Sequence, residues 1–116
     1  MKAHFLAGMI LIAFLVGCTP STSTSSPEWV VQLIQKFEHE LVGNPPQSIW
    51  SYEYHKQVVY FVPAQCCDQF STLYDASGTA LCAPDGGLTG KGDGKCTDFF
   101  DQRSNEQLVW KDSRTR

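Results

Sequence analysis

Cysteine supplies most of the reactive side chains of this protein. Five occur in 116 residues, at positions 18, 66, 67, 82 and 96. The last two bracket the stretch CAPDGGLTGKGDGKC over 82–96, a glycine-rich loop that could cradle phosphate, coordinate calcium or serve as a clamped turn. The phosphate reading fails on spacing. Gly86-Gly87-Leu88-Thr89-Gly90-Lys91 is short of a P-loop, Lys91 is followed by Gly92, and no apolar helix follows to present its N-terminus. Calcium wants six to eight oxygens. Asp85, Asp93 and Asp98 could offer carboxylates beside exposed loop carbonyls, with Asp68 joining through the cysteine staples, but the alternating acidic pattern of an EF-hand is absent. Asp and Gly also recur wherever turns need side-chain caps and positive φ. The loop is therefore expected to be a fixed path in which Asp85 or Asp93 caps backbone N–H groups, with calcium binding at Asp85, Asp93 and Asp98 as the alternative.

No catalytic arrangement emerges. A Ser–His–Asp site would need His39 or His55 as its base, and neither context marks a buried, oriented imidazole. The cysteines spaced as here do not suit structural zinc, whose ligands come in pairs two to four residues apart. The reading is no enzyme and no cofactor.

The N-terminus explains the odd cysteine. A short start containing Lys2 precedes the apolar run Phe5 to Val16, too short for the ~20 residues of a spanning helix but suited to a secretory signal. It ends in Leu15-Val16-Gly17-Cys18, which resembles the lipobox of bacterial lipoproteins: small residues admit the signal peptidase, and the Cys18 thiol takes the lipid. Residues 19–26, TPSTSTSS, cannot bury apolar surface and read as a solvated tether. Thr19 in place of the Asp that retains many lipoproteins at the inner membrane favours the outer membrane of a Gram-negative host. The organisation is thus 1–17 lipoprotein signal peptide, 18–26 Ser/Thr-rich tether and 27–116 a single domain. The net charge of −3 becomes more acidic once Lys2 is removed, and an acidic domain offers no footprint for nucleic acid.

Cys66, Cys67, Cys82 and Cys96 remain, an even number in an exported domain, and read as two disulfides. Adjacent cysteines strain the peptide between them when bridged. The expected pairings are Cys66–Cys96 with Cys67–Cys82, or the exchanged partners, and not Cys66 with Cys67.

These groups need a scaffold. Pro27-Glu28 opens a helix with Ser26 as its cap, and Trp29, Val30, Leu33, Ile34, Phe37 and Leu41 form one apolar stripe before Gly43-Asn44-Pro45-Pro46 stops it. From Ser48 the period becomes two, with Ile49, Ser51 and Glu53 on one face and Trp50, Tyr52 and Tyr54 on the other. A turn at His55-Lys56-Gln57 returns the chain through a nearly continuous buried strand, Val58 to Val62. Phe70–Tyr74 and Thr79–Cys82 flank a turn at Asp75–Gly78. Thr97 caps a short helix, Leu108-Val109-Trp110 is a last short strand, and the tail Lys111–Arg116 frays. The fold class is α+β: one N-terminal amphipathic helix on an antiparallel sheet of about four or five strands, stapled by two disulfides. The rings of Trp50, Tyr52, Tyr54, Tyr60 and Trp110 suit either a core or a binding patch.

Several runs together resemble a known family: PPQSIW over 45–50, VYFVPA over 59–64, CCDQF over 66–70, CAPDGG over 82–87 and GKGDGKC over 90–96. They are similar to an uncharacterised family of small bacterial secreted proteins and lipoproteins, a domain of unknown function, over roughly residues 27–112. The resemblance implies export and one domain, and carries over no catalytic residue. The expected function is a module anchored to the membrane through lipidated Cys18 that binds a protein or an envelope polymer. A calcium-stabilised envelope module using residues 85–98 is the alternative, and an envelope enzyme comes third.

Overall fold

A computed structural model of the chain describes residues 12–13, 15–18, 25–66 and 68–116. Most of the expected signal peptide, the tether over 19–24 and Cys67 lie outside the described residues. Among those described, no helix is long and apolar enough to cross a membrane.

The domain is an α+β fold on one antiparallel sheet. Helix α1 spans Glu28–His39, and strands β1 (Ser48–Tyr54), β2 (Gln57–Val62), β3 (Thr72–Tyr74) and β4 (Ala80–Cys82) follow. A single-turn helix α2 (Phe99–Gln102) leads into β5 (Ser104–Lys111). The sheet order is β4-β3-β2-β1-β5. Each strand up to β4 thus pairs with its sequence neighbour, and β5 crosses to the far edge beside β1.

The alternation read in β1 decides which face each side chain joins. Ile49 lies with Tyr60 and Val30 under α1, where Trp29, Leu33, Ile34 and Phe37 complete the apolar layer. Trp29 meets Tyr60 edge-on, with ring centroids 5.2 Å apart, and its Nε1–H donates to the Ala76 carbonyl at 3.0 Å. One helical side chain thereby ties α1 to the β3–β4 turn. That turn is built as expected: the Asp75 carboxylate accepts the Ser77 N–H at 2.9 Å and the Thr79 N–H at 3.0 Å, and Gly78 takes a φ of +87°. On the other face Tyr52, Tyr54, Val59, Phe61, Leu73 and Cys96 surround Phe99. The rings of Tyr52 and Tyr54 both meet Phe99 edge-on. The aromatic residues singled out in the sequence are therefore core, Trp50 and Trp110 included as partly buried members.

Several local expectations are corrected. Ser26 does not cap α1; Pro27 holds the cap position, and its carbonyl accepts the N–H groups of Val30 and Val31. The helix ends at His39, so Leu41 is outside the stripe and 93% exposed. Asp98, not Thr97, precedes α2. Strand β5 is longer than three residues, because its polar half Ser104–Gln107 pairs with β1. The C-terminal tail does not fray at its start. Asp112, only 4% exposed, receives the Arg114 guanidinium at 3.0 and 2.7 Å. Arg114 in turn donates to the carbonyls of Phe37, Glu38 and Glu40, the acceptors that a helix C-terminus leaves without partners. A cation there also suits the helix dipole.

Candidate functional site

The glycine loop is a turn system closed on itself. Cys82 and Cys96 bond to each other, with Cα atoms 6.2 Å apart, which overturns the expected crosswise pairing of these two with Cys66 and Cys67. The reason lies in the intervening turns. Gly92 N–H donates to Gly86 O and Asp93 N–H donates to Ala83 O, each at 3.0 Å. The returning limb thus runs against the outgoing one and brings the two cysteines together. Only glycine fits at the tightest crossing: a Cβ on Gly92, with φ of +69°, would lie 1.9 Å from the Ala83 carbonyl oxygen. Cys66 is disulfide-bonded as well.

The carboxylates proposed for calcium do not converge. Asp93 accepts the Lys95 N–H at 3.0 Å, an exposed turn cap as expected for this position. Asp98 is held elsewhere by Tyr54 and His55. Asp85 differs from the expected cap: its backbone bonds Ser71, while its Oδ1 is buried with no hydrogen-bond partner. Asp68 lies on a different limb, beside Phe70 and Gly87. Among the described residues, no three His, Cys, Asp or Glu side chains come together to hold a metal ion.

Two polar networks occupy the α2 face. The Tyr54 hydroxyl donates to Asp98 Oδ1 at 2.5 Å, and His55 Nε2 lies 3.0 Å from Asp98 Oδ2. The His55 ring stacks on Tyr54. These contacts hold the β1–β2 turn, where His55 and Lys56 take φ of 49° and 62°. Beside them Tyr52 donates to Glu106 at 2.8 Å and accepts from Arg103 at 3.2 Å, with the guanidinium over the Tyr52 ring. Burial first, then the carboxylate partner, pushes Tyr52 and Tyr54 up to about 12. Both phenols stay protonated donors. His39 lies on α1, its ring nitrogen bonded to the Gln35 carbonyl. Sequence reasoning missed the Tyr54–Asp98–His55 cluster, since Asp98 lies more than 40 positions from the adjacent Tyr54 and His55.

This geometry makes acid destabilising. The Tyr54 hydroxyl, then His55, holds the Asp98 carboxyl below its usual 3.8. Ser77 and Thr79 do the same for Asp75, and Arg114 for Asp112. A depressed carboxyl stabilises the fold above its unfolded value, and that stabilisation is lost as pH falls through the lower folded value. Urea midpoints should therefore drop between roughly pH 5 and roughly pH 2, and Asp98→Asn should flatten the drop. Parallel profiles for wild type and variant would contradict the role given to Asp98.

A groove lies on the α1 side of the sheet. Helix α1 covers the half of that face carrying Ile49, Tyr60, Val62 and Tyr74. The other half is open, so Val58, expected to be buried, is 52% exposed. The resulting groove, of about 370 Å³, is lined by Ser51, Glu53, Val58, Tyr60, Asn105 and Gln107, with Ser25 and Ser26 at its rim. Three strands build it. Ser51 pairs with Gln107 across β1 and β5, and register shifts on either side of that pairing, with Asn105 at φ 52°, bend the edge around the groove. Burial raises the Tyr60 phenol, so it too stays a donor. Of these residues the sequence marked only Tyr60, as core or binding patch; Ser51, Glu53, Asn105 and Gln107 each read separately as polar positions with no common site.

Compared with known proteins, residues 35–112 match the family model described as a domain of unknown function, DUF6970. No curated protein and no solved structure matches the chain.

Proposed function

Since the chain belongs to the DUF6970 family, a domain of unknown function, membership assigns no activity, and we propose from its own residues a membrane-anchored lipoprotein bearing a small disulfide-stapled binding module. Its anchor is lipidated Cys18, its site the cell envelope, at the outer membrane where the host is Gram-negative. Its ligand is a protein or an envelope polymer. The resemblance of the runs CCDQF, CAPDGG and GKGDGKC to those of exported bacterial proteins supports export, as does the lipobox-like run ahead of the tether. The second staple involves Cys66, since Cys82 and Cys96 hold each other.

The observation that carries the binding reading is the open groove on three strands. An enzyme would need titratable groups facing each other in a concave site. The His55–Asp98 pair is not enclosed in this way, its side chains being 62% and 47% accessible. A photocrosslinking residue in place of Val58 should capture an envelope component in cells, and one in place of Lys36 on α1 should not. Equal capture at both positions would sink the groove as the binding site.

The anchor is tested separately. Metabolic labelling with a palmitate analogue should mark the wild type and leave Cys18→Ala unlabelled. Equal label on both would remove the lipoprotein reading. The calcium alternative keeps one supporting observation, the unpartnered Asp85 Oδ1. A ligand that binds only the folded state raises its melting temperature. Millimolar calcium should then raise that of wild type and not of Asp85→Asn; equal melts with calcium and with chelator would dismiss it.

A further inference from the structure

We propose that the groove takes a neutral carbohydrate, a short run of an uncharged glycan, an assignment that rests on the binding-module reading above. The argument starts from hydrogen bonds that are not made. On the α2 face the polar side chains satisfy one another: Tyr52 with Glu106 and Arg103, Tyr54 and His55 with Asp98. In the groove, Ser51, Glu53, Tyr60, Asn105 and Gln107 make no side-chain hydrogen bond to any described residue, although they share one concavity. Two amides, two hydroxyls and one carboxylate thus converge with their donors and acceptors free.

That set selects by chemistry. Sugar hydroxyls both donate and accept, so vicinal hydroxyls can bond an amide through its C=O and NH₂ together, while a carboxylate accepts from two hydroxyls at once. Polar groups left unpaired when covered cost free energy, so a ligand lacking hydrogen-bonding groups is rejected. Charge narrows the class further. The lining includes Glu53 and no Lys or Arg, on a chain of net charge −3, and so disfavours phosphate-bearing or uronic-acid polymers. A protein partner would be anchored by exposed aromatic side chains. Here the two aromatic residues of the lining, Tyr52 and Tyr60, are both buried, and the exposed apolar surface is limited to Val58 and Leu108. The volume of about 370 Å³ lies within the roughly 300–1,000 Å³ of small-ligand sites.

The test uses full-length protein in detergent on an array of neutral oligosaccharides (cellotriose, maltotriose, chitotriose) and anionic ones (oligogalacturonate, sialyllactose). Binding to at least one neutral probe is expected, weakened tenfold or more by Gln107→Ala and by Glu53→Gln. Asn105→Gly removes the second amide while suiting the positive φ, and should weaken binding alike. Melting temperatures of the three variants should match wild type, and Lys36→Ala should bind normally. Binding confined to anionic probes, or neutral binding indifferent to all three groove variants, would overturn the proposal. A silent array with a protein still crosslinked from position 58 overturns the carbohydrate assignment and leaves the binding module standing. Silence in both experiments overturns the two together.

Discussion

Replacing Phe99 by Ala is expected to destabilise the domain by ~3–5 kcal/mol, the range for a fully buried aromatic ring. Phe99 has no exposed surface, and the rings of Tyr52, Tyr54, Phe61 and Phe100 contact it. It is also the reason that α2 exists. A helix of four residues cannot pay the nucleation cost of its first turn, so its position depends on this one inserted side chain. With Phe99 removed, the chain covering the second face loses its attachment, and a cavity opens beneath Tyr52 and Tyr54. For a domain of this size ~1 kcal/mol shifts the melting temperature by ~4–8 °C, so a fall of well over 10 °C is expected. Phe100→Ala is the control, since Phe100 is 40% exposed and should cost about 1 kcal/mol. Thermal and urea unfolding of both variants checks this, and a Phe100 effect equal to that of Phe99 would refute the assignment.

Opening the Cys82–Cys96 bridge is expected to cost ~3 kcal/mol, the loop-entropy value for a closed loop of ~15 residues. The two cysteines are 14 positions apart. The comparison is between wild type and Cys82→Ala/Cys96→Ala. Cys96 is buried in the aromatic core, so Ala is preferable to Ser, whose hydroxyl would be left unpartnered there. Amide exchange should accelerate most at Gly92 and Asp93, whose N–H groups bond across the loop. Unchanged exchange at these amides would show that the glycine turns hold the loop without the bridge. Peptide mapping without reductant should recover Cys82 linked to Cys96, and finding either joined to Cys66 would refute the pairing.

How far the sequence determined this structure differs from element to element. Strand β1 was legible because Ile49, Ser51 and Glu53 alternate with three aromatics, and both faces are used as that pattern requires. Strand β5 was only half legible. It is an edge strand with register shifts, so Ser104–Gln107 follow no apolar alternation. The cysteine pairing failed because it was judged from peptide strain at Cys66-Cys67, whereas the turns at Gly86 and Gly92 decide which sulfurs meet. The Arg114 clasp could not be read, since its acceptors are backbone carbonyls that carry no residue code. The groove was hidden for a related reason. Ser51 and Gln107 face each other only through β1–β5 pairing, a contact between segments far apart in the chain.

The position of β5 also bears on when folding can finish. The first four strands pair with their sequence neighbours, but β1 stays open along one edge until β5 arrives, where Ile49 pairs with Trp110. Contacts of such long sequence separation slow folding, because loop closure is unfavourable before the pairing compensates for it. Arg114 closes on α1 only after β5 is in place, because it follows that strand by three residues. A chain exported N-terminus first, as proposed, therefore cannot complete its sheet while its last dozen or so residues are still in transit. For a chain exported in that way the topology would act as a timer, leaving the sheet incomplete until β5 has emerged.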